Sequence, residues 1–106
     1  MTSRQDRIAR NEAIFREVNE RVRQVVSSDG DDVEFLCECG DETCVDHVRL
    51  RSDEYERVRQ DPVQFFVKHG HQIPDVEEVV EENERFLLVR KHVEERTIAM
   101  RTDPRA

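Results

Sequence analysis

The chain has 106 residues, enough for one domain with a small core. Only 36% of its residues are hydrophobic and 40% are charged, with no tryptophan, so a staple that adds stability to a thin core is expected. The longest apolar runs reach three or four residues, which excludes a membrane-spanning helix and leaves no signal-peptide h-region after Met1. The expected address is therefore the cytoplasm. The net charge of −8 is uneven: residues 1–26 carry six arginines against four carboxylates, and residues 27–106 are strongly acidic. An acidic body repels a phosphate backbone, which argues against nucleic acid as a partner.

Residues 4–26 read as one amphipathic helix. Ile8, Phe15 and Val22 recur every seven residues, Val18 and Val25 fill the intermediate positions, and Ile14 and Val26 widen the stripe. This stripe is expected to be buried, either on the domain's own sheet or in a homodimer across residues 8–26. Asn11 falls where the seam would otherwise continue, a polar position of the kind that sets register in a coiled coil. Residues 27–32 then break the helix as a turn or linker. The chain thus divides into a helix, 1–26, and a small acidic α+β domain, 27–106. Asp29 and Asp31 around Gly30 lack the remainder of a calcium loop.

Val33–Cys39 reads as a strand in which Val33, Phe35, Cys37 and Cys39 share one face. Gly40–Thr43 is a turn and Val45–Leu50 the returning strand. Ser52 is placed as the cap of a short helix, Asp53–Gln60, stopped by Asp61-Pro62. Val63–Val67 is a strand or a turn of helix, and residues 68–74 are a loop by their glycine and proline. Val76–Glu82 is ambiguous between helix and strand. Arg85–Lys91 is a strand, Val93–Arg101 a short helix, and 102–106 a fraying end. The fold class is α+β: a long N-terminal amphipathic helix, a small antiparallel sheet, short helices and a cysteine-rich knuckle.

The chemistry concentrates in one place. Cys37, Cys39 and Cys44 fall within eight residues and no other cysteine exists. Clustered thiolates repel one another unless a cation or a disulfide neutralises them. In a reducing compartment an odd-numbered cluster points to metal rather than to a bridge. Zinc takes four nitrogen or sulfur ligands tetrahedrally, so three thiolates and one imidazole make a closed structural site of net charge about −1. The candidate fourth ligands are His71, then His47, then His69. His47 is nearest in sequence, whereas His69 and His71 flank Gly70 on a loop able to deliver a distal ligand. His92 reads as surface. Iron could occupy the same sulfur-rich set.

Several segments, in order, resemble a group of small uncharacterised actinobacterial proteins: Asn11–Arg21, Phe35–Asp41 with its C-x-C-G pattern, Glu54–Arg59 and Gly70-His71-Gln72. That group has a Gly-His pair like Gly70-His71, followed by Glu where this chain has Gln72. The resemblance implies a bacterial cytosolic protein with a shared site and favours His71; it implies no activity.

Three function classes remain. The leading one is a zinc-stabilised binding or regulatory module that contacts another protein through the amphipathic helix or the acidic sheet face. The second is a thiol-based redox or metal sensor using the same cysteines. The third is a small zinc enzyme with an open coordination position. The three glycines form no phosphate-binding loop. The carboxylate runs read as solvated surface, Tyr55 reads as packing, and a Cys44–His47 nucleophilic pair lacks an obvious cleft.

Overall fold

A computed structural model describes residues 3–25 and 32–105. Its elements are α1 (Arg4–Val25), β1 (Asp32–Leu36), β2 (His47–Arg51), α2 (Ser52–Arg59), β3 (Gln64–Val67), β4 (Glu77–Glu82), β5 (Leu87–Lys91), a 3-10 turn (Val93–Glu95) and α3 (Arg96–Arg101). The fold is α+β, as the alternation of apolar periods implies. Of the turn or linker expected at 27–32, residues 27–31 lie outside the described residues, as does Val26, and Asp32 opens β1.

β1 and β2 form an antiparallel pair with Phe35 opposite Val48. β3, β5 and β4 form an antiparallel sheet in that order. The chain beyond β1 ties the two sheets together. The Cys37 N–H donates to the Asp46 carbonyl at 2.9 Å, and the Glu38 N–H, facing the other way, donates to the Phe66 carbonyl at 3.0 Å. The ambiguous Val76–Glu82 segment resolves as strand, with an irregularity at Val80 that breaks the register against β5.

The core is aromatic at its centre. Phe35 stacks on Tyr55 with ring centroids 4.5 Å apart, and Phe66 meets both rings edge-on. Such pairs add about 0.5–1.5 kcal/mol each beyond the area they bury. Tyr55 is thus wholly a packing residue, its hydroxyl donating to Glu20 at 2.8 Å.

Three expectations need correction. First, α1 does not bury its apolar stripe. Ile8 is buried, Phe15 and Val22 are half-buried, but Ile14, Val18 and Val25 are exposed. The inward face instead carries Glu12, Arg16, Asn19 and Glu20. The reason lies beneath the helix, where element ends present backbone groups that need partners. Arg16 donates to the carbonyls of Pro62 (2.6 Å) and Ala99 (2.7 Å), and Asn19 both accepts from the Leu36 N–H (2.8 Å) and donates to its carbonyl (2.9 Å). Second, Arg51 rather than Ser52 occupies the cap of α2. The Glu54 carboxylate accepts the Arg51 N–H at 2.8 Å, and Ser52 is the first helical residue, fully buried. Third, the C-terminal segment is tied down through residue 105. Arg105 donates to Glu20 (2.8 Å) and Glu56 (2.5 Å) and lies over the Tyr55 ring.

Candidate metal centre

The cysteines sit where the two sheets meet. β1 delivers Cys37 and Cys39 just past its end, and the turn that follows swings Cys44 back toward them. The Cys44 N–H donates to the Asp41 carbonyl at 3.0 Å, while the Asp41 carboxylate accepts from the Thr43 N–H (2.9 Å) and hydroxyl (2.6 Å). Those bonds close the turn at residues 41–44. Gly40 serves a different purpose from the turn freedom that its type suggests. The Cβ it lacks would lie 2.3 Å from Cγ2 of Ile8, so glycine is what allows α1 to rest on the cysteine loop. Asn11 seals the contact by donating to the Gly40 carbonyl at 3.0 Å. The glycine whose backbone needs its freedom is Gly70, at φ 88°. It turns the loop after β3 so that His71 faces the sulfurs.

Cys37, Cys39, Cys44 and His71 converge, with their ligand atoms all within 4.8 Å of one another. His71 Nδ1 lies 3.6 Å from both Cys37 Sγ and Cys44 Sγ. A tetrahedron with bonds of roughly 2.3 Å to sulfur and 2.0–2.1 Å to nitrogen has S–N edges of about 3.6 Å, which the two His71 contacts match, and the whole set is close enough to hold a metal ion. His47 and His69 lie apart from it. His47 is exposed at the start of β2, and His69 is exposed with Nε2 2.6 Å from the Asn83 carbonyl. His92 is also outside the cluster, half-buried between β5 and the 3-10 turn.

The surroundings suit thiolates. All three cysteines are free, Cys37 and Cys39 buried and Cys44 partly exposed. The Lys68 N–H donates to Cys37 Sγ at 3.2 Å. The Cys37–Cys39 hydrogen bond pushes the Cys37 thiol up and holds Cys39 down at about 5, while burial pushes Cys44 up. Without a cation the buried cluster therefore resists carrying three thiolates at once; a divalent ion supplies the charge that lets all three ionise. On the far side of the imidazole, His71 Nε2 lies 3.4 Å from Asp46 Oδ2. A proton held on Nε2 toward that carboxylate leaves the Nδ1 lone pair facing the sulfurs, the arrangement a metal-binding histidine needs.

Two features escaped the sequence reading. Glu38, between the two thiols, is fully buried on the opposite face, bonded to Arg59 of α2 and to Asn19 of α1. Asp46 reads in sequence as one more surface carboxylate; only its place beside a folded-back His71 gives it a role.

No protein-family model, curated protein or solved structure matches this chain. Among the described residues, no helix is long and apolar enough to cross a membrane.

Proposed function

We propose that this protein is a zinc-stabilised binding or regulatory module, working in the reducing cytosol through contacts with another protein. The observation that carries the reading is the convergence of Cys37, Cys39, Cys44 and His71 to within 4.8 Å. Three sulfurs and one imidazole are the donor set of a closed structural zinc site, and zinc supplies there the charge that holds three thiolates together. The ion would join β1, the cysteine turn and the loop after β3, so binding it and folding this corner are linked. Four protein ligands fill a tetrahedron and leave no position for a water or substrate, which argues against a zinc enzyme. Native mass spectrometry with elemental analysis of the purified chain tests this. About one zinc per chain supports it, and metal-free protein with an ordered cysteine turn overturns it.

One observation favours the sensor reading as an alternative. Cys44 is partly exposed, so an oxidant can reach it. Two thiolates would give two electrons to hydrogen peroxide, forming one disulfide and two hydroxide ions and releasing the ion. Rapid, thiol-reversible zinc release at low peroxide would move the assignment to a sensor.

A further inference from the structure

The outward face of α1 is formed by Arg7, Arg10, Ile14, Val18, Arg21 and Val25, every one exposed. At 3.6 residues per turn these six lie on one side of the helix, and no carboxylate falls among them. Glu17 stands at the border, loosely paired with Arg21 at 3.8 Å. Ile14 is 59% exposed and Val25 82%, while the inward face buries charged groups. That inversion is unusual for a helix on a small domain, whose apolar side ordinarily supplies core. Beside the ridge runs a groove of about 460 Å³ lined by Ala13, Ile14, Glu17, Val18, Arg21 and Thr102. The charge is anomalous too. Arginines elsewhere, such as Arg49, Arg57, Arg85 and Arg90, are paired with carboxylates, whereas the side chains of Arg7 and Arg10 make no ion pair among the described residues and open onto a hollow they share with Asp41 and Glu42.

We propose that this face docks an acidic amphipathic helix of another protein. Its apolar ridge enters the groove beside Ile14 and Val18, and its carboxylates meet Arg7, Arg10 and Arg21. The inference rests on the reading of the chain as a protein-contact module and names the surface and the chemistry of its partner. Charge complementarity selects the occupant. A second copy would set the same three arginines against each other. An anionic bilayer is flat and cannot fill a groove, and the face offers no aromatic side chain to seat in the headgroup layer. A helix presenting residues at i, i+3, i+4 and i+7 fits such a groove.

The test uses a synthetic helical peptide with leucines at those spacings flanked by glutamates, and its lysine-flanked counterpart. The full chain should bind the acidic peptide at least about tenfold more tightly than the basic one, and added salt should weaken it. Val18→Glu should cost about tenfold or more, and Arg21→Glu should shift preference toward the lysine peptide. Both residues are exposed, so zinc content measured on the same preparations should not change. Equal binding of the two peptides, or none, overturns the proposal. So does a concentration-dependent doubling of mass that Val18→Glu abolishes, which would assign the face to a second copy. Binding only to phosphatidylglycerol vesicles would assign it to a membrane. Zinc-loaded chain that ignores the acidic peptide refutes this inference alone; metal-free chain that binds it refutes the zinc reading alone.

Discussion

Glu38, the residue between Cys37 and Cys39, forms an ion pair with Arg59 of α2 in which both side chains are almost completely buried. Asn19 of α1 donates to the other carboxylate oxygen at 2.9 Å, and the Arg59 guanidinium lies over the rings of Tyr55 and Phe66. The segment that presents two thiols to one side is thus pinned on its other side to α1 and α2. Removing one member of a buried pair leaves the other charge without compensation, at a cost of about 3–5 kcal/mol. Glu38→Ala should lower the unfolding free energy read from urea titration by that margin and weaken zinc binding with it. Replacing Glu38 and Arg59 together by methionine should cost less than Glu38→Ala alone. A single variant that unfolds like the parent would show that the pin carries nothing.

The ligand set can be resolved one residue at a time. His71→Ala should weaken zinc binding far more than His47→Ala, since His47 is exposed and away from the sulfurs. Asp46→Ala should fall between them, losing about tenfold to a hundredfold, because it removes the group that orients the imidazole and no ligand. Cys39→Ser should lower metal content and thermal stability together. Competition titrations against a chromophoric chelator give the order. If His47→Ala proves as damaging as His71→Ala, the fourth ligand has been misassigned.

Gly40 offers a test of how α1 is seated. A methyl group there would lie 2.3 Å from Cγ2 and 3.0 Å from Cβ of Ile8, a β-branched and buried side chain with little room to yield. Overpacking of this kind costs about 1–3 kcal/mol. Gly40→Ala should therefore destabilise the chain and raise hydrogen exchange in the first half of α1. Ile8→Ala in the same chain should recover part of the loss by making space. No recovery would mean that residue 40 is constrained by its own turn or by Ile73, whose Cδ1 would lie 3.2 Å from the methyl, and not by the helix.

Local chemistry made much of this molecule readable and long-range polarity hid the rest. The cysteine spacing with the Gly70-His71 pair pointed at the four side chains that converge, because strand alternation and a positive-φ glycine act over a few residues. The α1 helix was legible by its heptad periodicity, the strand at Phe35 by alternation and the strand at Leu87 by its apolar run. The orientation of α1 was not, since hydrophobic periodicity assumes that a helix buries its apolar side. Here the seam is set by what lies beneath it: carbonyls at Pro62, Ala99 and Leu36, and charges at Glu38 and Lys91. Nothing in the order of residues announces such partners. Asp46 and Glu38 were hidden in the same way, two carboxylates among twenty-five acidic residues, told apart only by the fold.

Under α1, Lys91 Nζ lies 2.7 Å from Glu12 and 3.9 Å from Glu77, and all three side chains are almost wholly buried. Two carboxylates thus share one ammonium, and Glu77 also accepts the Ile73 N–H at 3.1 Å. Burial raises the Glu12 carboxyl well above its ordinary 4.5, Lys91 opposes that shift and Glu77 adds to it. A carboxyl whose folded pKa is raised contributes stability that is complete below its unfolded value and lost as pH climbs through the folded one. Glu54 and Glu56, held low by Arg85 and Arg105, act in the opposite sense and contribute above their unfolded values. The total curve mixes these effects, so the informative quantity is the difference between the parent and Glu12→Gln. The amide can still accept from Lys91 and donate to Glu77, and it cannot ionise. Glu12→Gln should therefore gain stability relative to the parent as pH rises from about 4.5 toward neutrality. Urea midpoints measured across that interval decide it. A difference that stays flat, or falls with pH, would mean that Glu12 is ionised throughout and that Lys91 alone balances the pair.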